Sequence, residues 1–350
     1  MANAVFNNIY VRGIACAVPK VVKKTTDYID DLDADEMRKF IDITGVQERH
    51  CTSDKQTTSD LCFVAAQHML CEKKIETNTI DALIFLTQTA DYLQPATAHV
   101  LHKRLGLSKN CMAFDINLGC SGYVYGLYLA SAMLQTGSIK RILFLVGEIS
   151  RYNPVSTIKD EILFGHAGTA SIIDSGDTEI KCLLKADGEG YTALIISGGN
   201  TRNPINDVQD YYKATVPQMD GAAVFEFTII EVPRAFKEFF TLYAGSINDF
   251  DYCILHQANL FMLKHIAKKI KLPLEKMPIS LDRYGNTSSA SIPLTIVDLC
   301  EREQVPDKMK LITSAFGIGL SWGVVSFEVE SKNVLPMIFT DDYYEEAYRG

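Results

Sequence analysis

The chain has 350 residues, 47% of them hydrophobic and 22% charged. That length leaves room for about two domains with a sizeable core, and the composition excludes a disordered or low-complexity chain. The formal net charge is −9, so no general basic excess draws the chain to nucleic acid or to an anionic membrane. Nine cysteines (Cys16, Cys51, Cys62, Cys71, Cys111, Cys120, Cys182, Cys253 and Cys300) are scattered, odd in number and never spaced C-x-x-C. No zinc or thioredoxin-type site is expected from that spacing. Met1–Val5 leads into Asn7 and Asn8 and not into a basic and then apolar leader. The expectation is a cytoplasmic protein with reduced thiols, most of them small buried hydrophobes.

In chain order, a strand is predicted at Ala82–Thr87, then a helix from about Ala96 to Leu105 ending at Gly106. A strand at Met112–Ile116, a turn at Gly119–Cys120, a helix at Ser121–Gln135 and a strand at Arg141–Val146 follow. The same order recurs later. It begins with a strand at Tyr252–Leu255 and a helix from about Ala258 to Ile270. A strand around Pro278–Leu281, a turn at Gly285–Asn286, a helix from about Ser289 to Cys300 and a strand at Lys310–Thr313 complete it. Alternating strands and helices imply a duplicated α/β fold with helix-covered sheets. The expected division is an N-terminal half at 1–178, a C-terminal half at 179–335 and an acidic tail at 336–350, docked or frayed. The connection over about 179–230 reads as irregular. Residues 116–139 carry no charge, but polar and glycine residues at both ends leave about four apolar turns, read as a buried helix and not a membrane span. Residues 312–327 read as two core strands joined by a glycine turn.

In this register Cys120 and Asn286 occupy equivalent turns. Cys120 follows a strand and a glycine and precedes a helix, where the dipole and free N–H groups favour thiolate. His256 follows the strand Tyr252–Leu255. Asn286 alone reads as a turn or cap residue, and Phe316-Gly317-Ile318-Gly319 as a tight turn or an oxyanion cradle. Ligands in such sheets gather beyond the strand ends, where all these turns lie.

Together these segments resemble the 3-oxoacyl-(acyl carrier protein) synthase III family of the thiolase fold. The likeness covers most of the chain. It runs through Thr44-Gly45-Val46-Gln47-Glu48-Arg49, the Cys120 elbow and Phe164-Gly165-His166-Ala167-Gly168. It continues through Ala186-Asp187-Gly188, Met219-Asp220-Gly221-Ala222-Ala223-Val224-Phe225 and His256-Gln257-Ala258-Asn259, to Gly285-Asn286-Thr287-Ser288 and Phe316-Gly317-Ile318-Gly319. The resemblance implies a thiolase-like fold, a duplicated αβαβα layered sandwich with two pseudo-symmetric halves, and a homodimer. It implies an acyltransferase that joins an acyl thioester to a malonyl extender by decarboxylative Claisen condensation. Cys120 would carry the acyl group, His256 and Asn286 would bind the extender's thioester carbonyl, and the N–H groups of Cys120 and Ile318 would form the oxyanion hole. The implied partners are acyl-CoA, acyl carrier protein and a malonyl thioester, with no tightly bound cofactor and no metal.

This chain departs from the family at the carrier-gripping positions. Phe261 stands where fatty-acid-initiating members have an arginine. Lys39 and Ile43 stand where a tryptophan and an arginine precede Thr-Gly. Phe-Gly-Asp-Gly has become Phe164-Gly165-His166-Ala167, and Ile318 replaces a common glycine. A specialised relative is expected, acting on a lipid, polyketide, aryl or surface-glycan acyl group. Lys264, Lys268 and Lys269 are candidates for docking an acidic carrier protein, against the plain alternative of a solvated helix face. Gln94, beside Pro95, is the candidate cap of the acyl pocket. Alternatives are an acyltransferase forming an ester or amide without decarboxylation, a non-catalytic partner subunit, and a papain-like hydrolase, which also orders Cys, His and Asn but has a different cysteine signature.

Overall fold

The computed structural model describes residues 2–28, 30–150, 153–205 and 208–345. Its main strands are β1 (Ala2–Pro19), β2 (Ala82–Leu86), β3 (Met112–Ile116), β4 (Arg141–Glu148) and β5 (Ala167–Ala186), then β6 (Tyr252–Leu255), β7 (Lys308–Gly317), β8 (Ser321–Glu330) and β9 (Ile338–Thr340). The helices that position the site are α1 (Ala34–Thr44), α2 (Thr58–Glu72), α3 (Thr97–Arg104) and α4 (Gly122–Leu134), then α5 (Gly221–Tyr243), α6 (Leu260–Ile270) and α7 (Ser291–Arg302).

The strands run in the order β6-β7-β8-β5-β4-β2-β3, with β1 along the other edge of β5 and β9 beside β1. The first half of β5 pairs with β4 and the second half with β8. β1 pairs antiparallel with nearly all of β5, from Ala2 opposite Leu184 to Ala17 opposite Gly168. Two half-sheets therefore share two long strands, and residue 178 lies inside one of them. In each half the inner pairs β2–β4 and β6–β7 are parallel.

Side-chain parity builds the layers, because alternate strand residues face opposite sides of a sheet. Ala82, Ile84 and Leu86 of β2 face one core with Ile142, Phe144 and Val146 of β4. Leu83, Phe85, Leu143 and Leu145 face another, under α2 and α3. Met309 and Leu311 of β7 join the first core, while Ile312 and Phe316 join a third under α5 and α6. The first core is filled by α4 and α7, so the layers are helix, sheet, helix pair, sheet, helix. This is the duplicated αβαβα sandwich. Helix α4 buries Tyr123, Val124, Leu127, Ala130 and Leu134, each large apolar side chain stabilising by roughly 1.5–3 kcal/mol. Gly126 leaves α4 bare where the Phe144 ring packs against it. Among the described residues, no helix is long and apolar enough to cross a membrane.

Two expectations are corrected. Residues 278–280 form no strand, and a short helix at Leu281–Tyr284 follows them. The Gln257 side chain replaces the ladder: its amide donates to the carbonyls of Leu255 (2.8 Å) and Pro278 (3.5 Å), and its oxygen accepts the Ser280 N–H (3.1 Å). Pro278 also has no N–H of its own to donate. The stretch 179–230 is not irregular throughout. It starts in β5, forms a small sheet of Leu194–Ile195 with Gln218–Met219, and ends in α5.

The acidic tail is docked through residue 345, and residues 346–350 lie outside the described part. Gln56 donates to the carbonyls of Thr340 (3.2 Å) and Asp342 (2.9 Å), and the Tyr344 N–H donates to Asp60 (2.9 Å). Arg104 pairs with Asp60 at 2.9 Å, both side chains buried, and its guanidinium sits between the rings of Phe63 and Tyr344. Removing one partner of a buried pair strands the other charge. Arg104→Ala is expected to lower the unfolding free energy by about 3 kcal/mol, read from the urea midpoint. Lys55→Ala, at the exposed contact with Tyr343, is expected to leave the midpoint nearly unchanged.

Candidate active site

Two turns meet at the N-terminal ends of α4 and α7. On one side, β3 runs through Asn117-Leu118-Gly119 into Cys120, two residues before α4 begins. On the other, the turn Gly285-Asn286-Thr287 enters the 3₁₀ turn Ser288–Ala290 and then α7. The Cys120 Sγ lies 3.8 Å from the Ser288 Oγ, which brings together turns 168 residues apart. The turns of Cys120 and Asn286, equivalent in the repeat, thus meet through Ser288.

Cys120 is partly exposed, whereas Cys16, Cys51, Cys62, Cys111, Cys182 and Cys253 are buried. Burial pushes the Cys120 thiol above its ordinary range, and the charge of Glu148 adds to that. Hydrogen bonds from the Ser288 side chain and from the backbone N–H groups of Ile318 and Cys120 pull it back. The net direction is upward, so desolvation outweighs these hydrogen bonds. The N–H groups expected to form an oxyanion hole, those of Cys120 and Ile318, both approach the sulfur. The Ile318 turn is tied to the elbow by hydroxyls: Ser121 and Ser321 are 2.6 Å apart, and Ser321 donates to the Ile318 carbonyl at 2.8 Å.

His256 follows β6 and is 1% exposed. Its Nδ1 lies 2.8 Å from the Ser291 Oγ in the first turn of α7, and its ring meets Phe316 edge to face. Burial pushes its pKa down to about 4, against a smaller upward pull from the Ser288 backbone. The imidazole is therefore neutral at pH 7. Asn286 is pinned by its backbone: its N–H donates to the Leu163 carbonyl (2.9 Å) and its carbonyl accepts the Gly165 N–H (3.1 Å). This assigns Phe164-Gly165 a place in the site wall. The Asn286 Oδ1 accepts the Ser288 N–H at 2.8 Å, and its Nδ2 donates to the Ala258 carbonyl at 3.4 Å. An amide nitrogen has two hydrogens, so one remains for a ligand.

Lys264, Lys268 and Lys269 are all exposed on α6, with no ion-pair partner among the described residues. Gln94 is also exposed, next to Leu93, which is 90% exposed. Both lie on a protruding loop before α3, and neither they nor the lysines touch Cys120. The sequence assigns no role to Ser121, Ser288, Ser291, Ser321 or Glu148, although Ser288 lies within the Gly285-Asn286-Thr287-Ser288 motif. The run Thr287-Ser288-Ser289-Ala290-Ser291 was the available signal for two of them. Among the described residues, no cluster of His, Cys, Asp and Glu is arranged to hold a metal ion.

Two outcomes are expected. Gly317 has φ +156°, and a Cβ there would lie 2.7 Å from the Cys120 Cβ and 3.1 Å from its Sγ. Gly317→Ala should abolish alkylation of Cys120 by iodoacetamide, followed on its peptide by mass spectrometry, while the protein stays folded by circular dichroism. The second concerns His256. Its folded pKa of about 4 lies below the ordinary 6.5. Its contribution to stability is complete above pH 6.5 and is lost as pH falls toward 4. The melting temperature should fall between pH 6.5 and 4.5, and fall less in His256→Ala.

Comparison with known proteins finds relatives over nearly the whole chain. Residues 114–189 match the 3-oxoacyl-[acyl-carrier-protein (ACP)] synthase III family model, and residues 244–329 match the model of that family's C-terminal region. A putative 3-oxoacyl-[acyl-carrier-protein] synthase 3 of Campylobacter jejuni is 30% identical over 347 residues, covering 94% of this chain and 97% of that protein. The beta-ketoacyl-[acyl-carrier-protein] synthase III of Fusobacterium nucleatum is 32% identical, covering 90% and 97%. The crystal structure of a 3-oxoacyl-(acyl-carrier protein) synthase from Burkholderia xenovorans superposes with a TM-score of 0.88 at 34% identity, covering 97% of this chain and 99% of that one. With matches to both halves and near full-length relatives, the chain belongs to the 3-oxoacyl-(acyl-carrier-protein) synthase III family.

Proposed function

We propose that the enzyme condenses a Cys120-bound acyl group with a malonyl thioester, losing carbon dioxide and forming a 3-oxoacyl thioester. The observation that supports this best is the meeting of the Cys120 and Asn286 turns beside a neutral, buried His256. The Cys120 sulfur attacks the donor's thioester carbonyl, the bond to the carrier sulfur breaks, and the carrier leaves as a thiol with the cysteine's proton. Thioester exchange of this kind changes free energy little, which suits a cysteine nucleophile. The malonyl carboxylate then departs as carbon dioxide, and its bonding pair moves into an enolate. An imidazole with a pKa of about 4 is a poor base and a good neutral donor, so His256 and Asn286 stabilise that enolate oxygen. The His256 Nδ1 faces the Ser291 hydroxyl, which also accepts the Gln257 N–H at 3.3 Å; we assign the Ser291 hydrogen to Nδ1 and the imidazole proton to Nε2. The enolate carbon attacks the acyl carbon. The N–H groups of Cys120 and Ile318 hold the resulting oxyanion until the Cys120 thiolate is expelled. These donors supply the charge stabilisation, so the proposed reaction calls on no tightly bound cofactor.

We read the donor as a carrier-protein thioester in preference to free CoA. Phe261 is 45% exposed and stacks on Phe225 at 5.4 Å, and Ile43 is 52% exposed, so apolar groups stand at two positions where the family implies an arginine. Lys264, Lys268 and Lys269 on the same helix would supply the local positive patch that an acidic carrier needs on a chain of net charge −9. A homodimer is supported by β3, a sheet-edge strand beginning at the exposed Met112. The partner's Gln94 loop would then cap the acyl pocket. Nine free thiols support a cytoplasmic setting. A specialised lipid, polyketide or glycan-acyl role is our reading of the altered carrier contacts.

Intact-mass spectrometry against acyl-CoA and acyl-carrier-protein donors, with carbon dioxide release from malonyl carrier protein, tests this reading. Cys120→Ala should gain no acyl mass. His256→Ala should acylate normally but condense roughly 10²–10³ slower, as when one oxyanion donor is lost. Acylation of Cys120→Ala by every active donor would overturn the nucleophile. Rapid transfer from acetyl-CoA alone would overturn the carrier preference.

A further inference from the structure

Behind the nucleophile elbow lies a buried carboxylate that the condensation does not use. Glu148 ends β4 and is 7% exposed. Its Oε1 accepts the Gln88 N–H at 2.5 Å and the Thr87 hydroxyl at 3.2 Å, and its Oε2 accepts the Thr89 hydroxyl at 3.2 Å. All three donors belong to the turn leaving β2. Thr89 is tied further to Thr58, at the start of α2, by a 2.7 Å hydroxyl contact. The Gln88 side chain presses on Gly119, where any added Cβ would strike its Oε1. A rigid path therefore runs from Glu148 through residues 87–89 to the residue preceding Cys120.

No lysine, arginine or histidine among the described residues forms an ion pair with Glu148. The titratable groups that feel its charge are Cys120 on the elbow and Cys62 on α2, with Asp91 and Arg104 also acting on Cys62. We propose that Glu148 is a positioning residue for Cys120: its carboxyl group holds the 87–89 turn against the elbow, and its negative charge, when present, opposes formation of the thiolate. Burial pushes the Glu148 pKa up to about 8, with Gln88, Thr87 and Thr89 pulling it back. The group is thus mostly protonated at pH 6 and mostly ionised at pH 9. Ionised Glu148 raises the cost of the nearby thiolate. The catalytic consequence rests on Cys120 as the nucleophile, but the charge coupling does not.

The test is the rate of Cys120 alkylation by iodoacetamide from pH 6 to 9.5, followed on its peptide, with the exposed Cys71 as internal reference. Wild-type Cys120 should show a break near pH 8, where the rise with pH becomes shallower. Glu148→Gln should match wild type at pH 6 and react about threefold faster at pH 9, equivalent to about half a unit in the thiol's titration. Cys71 should be unaffected. A ratio independent of pH would reduce Glu148 to a structural role and overturn the charge coupling. So would an unbroken wild-type profile, which tests the claim even if Glu148→Gln fails to fold. Glu148→Ala, lacking both acceptor oxygens, should slow acylation by the active donor, with Glu148→Gln restoring most of it at pH 7. Equal acylation by Glu148→Ala and wild type would overturn the positioning. If alkylation behaves as expected while no donor acylates Cys120, the proposed function fails and the coupling stands.

Discussion

Everything in the site depends on the pairing of β1 with β5. These two strands run through both half-sheets and are hydrogen-bonded over nearly their whole length. A hinge between the halves would need many ladder bonds to break at once. The turns carrying Cys120 and Asn286 belong to different halves, yet their spacing is set by this shared spine and by the packing of α4 and α7 in one core. Preorganised donors stabilise charge only if they do not have to reorganise when it forms. A welded duplicate provides that condition with short, ordinary elements.

Burial is the second theme of the chemistry. Hydrogen bonds from the Ser288 side chain and from the N–H groups of Ile318 and Cys120 favour the Cys120 thiolate, but desolvation outweighs them. The same desolvation keeps His256 neutral, so it presents one N–H to a forming enolate and adds no charge of its own at rest. One physical cause therefore leaves the nucleophile as a thiol at rest and makes the histidine a fixed donor. Serine hydroxyls do the fine placement: Ser291 on His256, Ser288 beside the sulfur, and the Ser121–Ser321 pair on the Ile318 turn.

Much of this was legible in the residues. The alternation in Ala82–Leu86 and the recurrence of strand, helix, turn and helix pointed to a duplicated sandwich, and the strand-end turns carried Cys120, His256 and Asn286. Three things were not legible. Pro278–Leu281 has the composition of a strand, but the Gln257 side chain takes its backbone partners, a long-range bond that local pattern does not contain. The sharing of β1 and β5 was hidden because a single long strand serves both repeats. Glu148 and the serines were overlooked because their meaning lies wholly in what they face.

The docked C-terminus has a consequence for the order in which the molecule is completed. Asp60 and Arg104 both lie in the first third of the chain, yet their burial is finished by Tyr344, and the Tyr344–Asp60 hydrogen bond spans 284 residues. β9, which lies alongside the end of β1, likewise arrives last. During synthesis the N-terminal half must wait, with a charged pair and a sheet edge uncovered, until residues 338–344 have been made. Contacts that complete the N-terminal half are therefore made by a segment that follows both halves in the sequence.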